Sequence, residues 1–231
     1  MKTLITLLLA ILASSAVFGQ WSLGPKLSYG TVSTSARDIR IIPNSDRIPV
    51  NLSYLGGGNA ASLGFMVHNN IGPGFLQFEI LGTRYNQSYA AQTYGDTSPA
   101  ILLDEKVYLL EMPLAAGVNI RNFRLGGGPV LEVNVQKTTD LDQIAGYVNK
   151  TDKLGGAFQF LLGFQKGIFN MDARYVYKFN SIVDEFGIYD DNLRLNKGAN
   201  RFMISMGLLF GGKNNNGLDD VMPNENEIKV F

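Results

Sequence analysis

Few residues of this chain could do catalytic chemistry, and they are scattered. There is one histidine, His68, and there are no cysteines, so no thiolate nucleophile, disulfide or thiolate metal cluster is available. The acidic pairs Asp190–Asp191 and Asp219–Asp220 could offer oxygen ligands to calcium, but neither belongs to a run of alternating oxygen ligands closed by a bidentate glutamate. They read as solvated charge. "GNAASLGF" and "LGGGP" are glycine-rich without a following helix whose N-terminus could cradle phosphate. His68 is expected close to a short turn, as a polar residue and not a general base. Three matches to the glycosylation pattern, "NLS", "NQS" and "NKT", are of a kind that arises often by chance. The expectation is a chain with no catalytic residue, no metal and no cofactor, hence no enzyme.

The chemistry that does stand out is ion pairing. Lys26, Arg124, Arg174, Lys178 and Arg201, with Glu79, Glu105, Glu111, Glu132 and Asp172, are set into otherwise apolar segments. The elements that hold them alternate with period two, the signature of strands with two unlike faces. "VYLLEMPLAAGVNI" places Tyr108, Leu110, Met112 and Leu114 on one side, with Glu111 and Pro113 on the other. The same split recurs in segments beginning near Trp21, Ala60, Phe75, Phe123, Gly156, Asn170 and Asn200, which makes eight. Long polar stretches near 35–58, 90–104, 138–155 and 181–199 alternate with the tight connections "NNIGPG", "RN" and "KGI". That is an up-and-down meander with its long loops at one end.

Lys2, the apolar run "TLITLLLAILA" and the small residues "SSAVFGQ" form an export signal, with cleavage expected after Gly19. Net charge is zero, with 20 basic and 20 acidic residues, so no global field favours nucleic acid. Charged residues make up only 17%, low for a secreted soluble domain. The fold expected is therefore all-β: an eight-stranded antiparallel up-and-down transmembrane β-barrel with four long extracellular loops and short periplasmic turns. Residues 1–19 would be the signal peptide, 20–211 the barrel and 212–231 a polar periplasmic tail.

A soluble, lipocalin-like barrel is the competing arrangement, and "GQW" resembles the first strand of that family. It would require the face bearing Gly, Ala, Leu81, Leu109, Val130, Met203 and Leu209 to be a solvated coat. As the lining of a narrow barrel that face fits better, because small residues leave room for a few long polar ones. Aromatic placement agrees: Trp21, Phe123, Phe164 and Phe210 fall at the short-turn end, and Tyr29, Tyr85, Tyr108, Tyr177 and Phe202 at the long-loop end. Two belts of rings are expected at two membrane interfaces. The ten interior charges, five of each sign, are expected to pair into a plug with no open channel, since buried charge is tolerable only when paired. For Glu111 the nearest partners expected are Arg124 or Arg174. Pro113 should produce a β-bulge or a broken ladder bond.

"VYLLEMPLAAGV" followed by "FRLGGGPVLEVNV", and "ARYVY" further on, resemble the small outer-membrane β-barrel families of Bacteroidota, the PorT-like or outer membrane protein beta-barrel domain group. Tyr108, Glu111, Pro113, Gly128 and Pro129 sit at the matching places. The resemblance, over about 21–211, implies a fold more than an activity. "GLLF", Gly207–Phe210, resembles the insertion signal of a last barrel strand, although here a tail ending "IKVF" follows. The expected function is a non-enzymatic integral outer-membrane protein with a structural or surface-interaction role, in contact with outer-membrane lipid in a Gram-negative bacterium. The alternative is an accessory subunit of a secretion or assembly machine, with an envelope partner reached through the tail or the long loops. A small-solute channel or a loop-borne hydrolase comes third.

Overall fold

The computed structural model describes residues 20–34, 39–41, 50–93, 99–143, 153–179, 183–188, 191–196 and 199–211. The expected leader at 1–19, the tail at 212–231, Asp190 and the pair Asp219–Asp220 lie outside them. In chain order the strands are β1 (Gln20–Thr34), β2 (Ile39–Ile41), β3 (Val50–Ile71), β4 (Gly74–Thr93), β5 (Ile101–Ile120), β6 (Phe123–Thr139), β7 (Leu154–Lys166), β8 (Phe169–Lys178), β9 (Val183–Ile188), β10 (Asp191–Asn196) and β11 (Ala199–Leu208). A single 3-10 turn, Asp140–Gln143, is the one helical element among the described residues.

Eight of these strands form one ring-like antiparallel sheet, in the order β1, β11, β8, β7, β6, β5, β4, β3, with β3 pairing back onto β1. β2 adds three residues to the far end of β3, and β9 with β10 forms a separate hairpin. The eight segments that alternate in sequence are the eight strands of the ring.

Each alternation becomes a pair of faces. In β5 the inward residues Leu103 to Ala115 are buried at every second position, while Tyr108, Leu110, Val118 and Ile120 are exposed. The outer face is apolar from the tight turns upward: Leu63 and Phe65 on β3, Phe78 and Ile80 on β4, Leu125 and Leu131 on β6, Phe160 and Leu162 on β7, and Phe202, Ile204 and Met206 on β11 all stand open. Farther from the turns the same face becomes mixed, with Arg84, Asn86 and Ser88 on β4, Asp104 and Lys106 beside the exposed Leu102 on β5, and Gln136 and Thr138 on β6.

Two-residue turns close one end: Gly72–Pro73, Arg121–Asn122 and Gly167–Ile168. The first residue of each has positive φ, 56° at Gly72, 57° at Arg121 and 59° at Gly167, the geometry that glycine adopts without steric cost. At the opposite end the strands run farther than the sequence suggests. β3 already begins at Val50, β4 continues to Thr93 and β5 starts at Ile101, so parts of the expected loops are ladder. The physical reason is a second, apolar layer inside the wall: Leu52, Tyr89, Leu103 and Leu141 are all at most 2% exposed. β3, β4 and β5 consequently hold 22, 20 and 20 residues, against 10 each in β8 and β11, and one side of the wall stands higher than the other.

Prolines interrupt three different ladders. Pairing of β4 with β5 skips from Phe78–Leu114 to Leu81–Glu111 without changing register, at the point where Pro113 lacks its N–H. Pro129 coincides with a similar gap between β5 and β6. Pro25 separates the β1–β11 ladder, which ends at Lys26–Gly207, from the isolated bridge Leu23–Phe210. Of the two outcomes open for Pro113, a broken ladder is the one observed.

Candidate functional site, an interior charge network

All ten charged residues singled out by alternation are buried, and the strands bring nine of them together in two layers, with Glu105 standing apart. The layer nearer the turns is built on Glu79 and Asp172. Lys26 Nζ lies 2.8 Å from Glu79 Oε1 and 2.6 Å from Asp172 Oδ2, so β1 ties β4 to β8 across the interior. Arg174 Nη2 donates to both oxygens of Glu79, at 2.6 and 2.7 Å, and Arg124 Nη2 donates to Asp172 Oδ1 at 2.5 Å. Each carboxylate thus faces two cations, which offsets the loss of water around all of them.

Arg124 also donates to Gln77 Oε1 at 2.9 Å and lies 3.1 Å from His68 Nδ1. The His68 ring stacks on Phe75 at 5.6 Å between centroids, and the Arg124 guanidinium lies 5.3 Å from the centre of the same ring. His68 is therefore a buried member of the network, held by an arginine on one side and by Asn70 Oδ1 on the other. Gln77 bonds to Glu79 as well as to Arg124. Room for the Arg124–Asp172 pair comes from Gly163, where an added Cβ would stand 2.5 Å from Asp172 Oδ1 and 3.0 Å from Arg124 Nη2.

The second layer centres on Arg201. Glu111 and Glu132 are cross-strand partners in the β5–β6 register, so two like charges confront each other. Arg201, reaching from β11, lies 2.6 Å from Glu111 Oε1 and also bonds Glu132, while Lys178 Nζ is 3.0 Å from Glu132 Oε2. Thr83 donates to Glu111 Oε2 at 2.8 Å and shares a 2.8 Å bond with Ser62. The expected partners of Glu111, Arg124 and Arg174, are both engaged in the other layer. A carboxylate pair needs its cation placed between the two, and among the described residues Arg201 reaches that point.

Glu105 lies farther from the turns and meets Lys137 Nζ at 3.3 Å. Strict alternation would have pointed Lys137 outward. A register shift opposite Tyr108 and Leu109 leaves Val135 as an extra, exposed residue in β6, after which Lys137 and Thr139 turn inward. Nothing in the apolar pattern marks that bulge, so Lys137 was not legible from sequence.

Of the rings assigned to two outer levels, Trp21, Tyr29, Tyr108, Phe123, Phe164, Tyr177, Phe202 and Phe210 lie on the outer face. Phe123 and Phe164 meet edge to face at 5.5 Å beside the turns. Tyr85 does not belong with them. It is 3% exposed and points inward, sharing parity with Glu79, Leu81 and Thr83, and Arg201 lies 5.7 Å from its ring centre. Phe158 and Phe179 join Phe160 and Tyr177 in a ring cluster on the outer face that the belt reading missed.

Among the described residues no group of histidine, cysteine or acidic side chains could hold a metal ion. With every carboxylate of the network engaged by a cation, the arrangement cross-braces the wall. No protein-family model matches this chain, and no curated protein matches it.

Proposed function

We propose that this protein is an integral outer-membrane β-barrel without enzymatic activity, with a structural or surface-interaction role and an interior plugged by paired charges. The observation that carries this reading is the division of the outer face into a continuous apolar band next to the turns and a zone of mixed polar character above it. On β5 every outward residue from Tyr108 to Ile120 is apolar. With about 3.3 Å per residue and a tilt of about 40°, such a run is roughly 30 Å tall, the thickness of a bilayer's hydrocarbon core. A water-soluble protein would have to leave this contiguous surface wet, far beyond the patches that soluble monomers expose.

The inverse distribution inside supports the same reading. Charges sit in the interior and hydrocarbon faces out, the arrangement of a wall whose solvent is lipid. The export signal read in the sequence of residues 1–19, the polar composition of the long connecting stretches and the resemblance to small Bacteroidota barrels support it. The cross-braced layers favour rigidity over conduction.

The test is heat modifiability combined with flotation. Detergent-extracted protein should migrate faster on a gel before boiling than after, and should float with lipid vesicles after refolding into them. Identical migration together with recovery in the aqueous fraction would refute the membrane reading. Steady leakage of small sugars from vesicles carrying the protein would refute the plug alone.

A further inference from the structure

On the outer face of β4 and β5, at the upper limit of the apolar band, two cations stand side by side. Arg84 and Lys106 are exposed, and both point outward. The register places Arg84 opposite Tyr108 and Lys106 opposite Asn86, so the two are diagonal neighbours on one face. The Arg84 guanidinium lies 5.8 Å from the centre of the Tyr108 ring, which holds it at the edge of the band. Neither cation has a carboxylate within ion-pair distance among the described residues. Asp104, one outward position beyond Lys106, accepts instead from Ser88 Oγ at 2.8 Å.

Below Arg84 the outer face is hollowed. Gly82 is the next outward residue on β4, and its register partners on either side are Leu63 and Leu110, which are 65% and 37% exposed. A Cβ at Gly82 would meet only one backbone oxygen, at 3.7 Å. The result is a short lane between two leucines, bounded below by Ile80 and headed by two cations. Charge complementarity decides the occupant: an amphiphile with a negative headgroup above and a hydrocarbon chain below. An uncharged chain would leave both cations unused, and a protein edge would find no free ladder there, because β4 is paired on both sides.

We propose that Arg84, Lys106 and the Gly82 lane form a binding site for an anionic, phosphate-bearing lipid of the surrounding bilayer. The phosphate accepts hydrogen bonds from the guanidinium and the ammonium, and one acyl chain lies along Gly82 between Leu63 and Leu110. This site rests on the membrane reading above, because only a protein in a bilayer meets such a ligand at that height.

The experiment is native mass spectrometry of the refolded full chain in a nonionic detergent, titrated with dioctanoyl phosphatidic acid, with dioctanoyl phosphatidylcholine and with inorganic phosphate. The expected result is preferential retention of phosphatidic acid. Arg84→Gln with Lys106→Gln should weaken it about 10- to 30-fold, in line with the surface attraction of two cations for anionic lipid. Gly82→Leu should weaken it with both cations intact, and Lys166→Gln, at the turn end, should leave it unchanged. Equal retention of the two lipids, inorganic phosphate binding as well as phosphatidic acid, or full retention by the double variant would each overturn the site. Heat modifiability of every variant, measured on the same samples, separates loss of the site from loss of the fold. Wild-type protein that inserts into vesicles yet shows no lipid preference would leave the membrane reading standing and remove this site alone.

Discussion

Glu111 and Glu132 face each other directly across the β5–β6 ladder, and one guanidinium, that of Arg201, forms an ion pair with both. Two buried carboxylates in register would repel each other strongly, so the local fold depends on a side chain supplied by a strand on the far side of the interior. Arg201→Met should therefore lower stability by about 3–5 kcal/mol, the usual cost of stranding a buried charge. Adding Glu132→Gln to that variant should recover part of the loss. Urea unfolding in lipid vesicles, followed through the single tryptophan, Trp21, measures both.

The space at Gly163 belongs to the Arg124–Asp172 pair. Gly163→Val should displace that pair and cost about 1–3 kcal/mol, the range for overfilling a packed interior. Gly156 lies on the same strand with nothing within 4 Å of an added Cβ, and Gly156→Ala should stay within about 0.5 kcal/mol of wild type. Equal losses for the two would show that the strand, and not the ion pair, sets the cost.

Arg121 occupies a positive-φ turn position that glycine fills in the other two tight turns. Arg121→Gly should raise stability by up to about 1 kcal/mol, since relief of left-handed strain worth about 1–2 kcal/mol is partly offset by the greater freedom of glycine in the unfolded chain. The same urea titration gives the sign.

Ile204 stands in the middle of the outer band on β11 and is 53% exposed. If that surface meets lipid, Ile204→Arg costs about 2–4 kcal/mol in a bilayer. On a water-facing wall the same substitution would stay within about 0.5 kcal/mol. Refolding the variant into vesicles and comparing midpoints with wild type distinguishes these cases.

Much of this was legible because a strand has only two faces. Once Leu110 and Leu114 are read as one side, Glu111 must be on the other, and the same parity places Lys26, Glu79, Asp172 and Arg174 inside. Parity also places Tyr85 inside, against the expectation of an outer belt. What parity cannot supply is the pairing across the interior, because contact between Arg201 and Glu111 depends on how far each strand is offset around the ring. It fails likewise at Val135, where one extra residue reverses the faces and delivers Lys137 to Glu105. The ladder in the expected loop regions was hidden because its outward residues, such as Ser88 and Lys106, are polar and resemble loop composition.

Pro25 has a bearing on how the molecule could come apart. The first and last strands of the ring meet along a continuous ladder from Lys26–Gly207 to Thr34–Ala199, but near the turns they are joined by the Leu23–Phe210 bridge, with two backbone bonds of 2.8 Å, and by a 3.0 Å bond from Ser22 Oγ to the Gly211 carbonyl. Inside the wall, at that height, Lys26 is tied to Glu79 and Asp172 and not to the neighbouring strand β11. The junction of the chain's two ends is thus a perforated line, and separation of the wall would begin at its turn-side end.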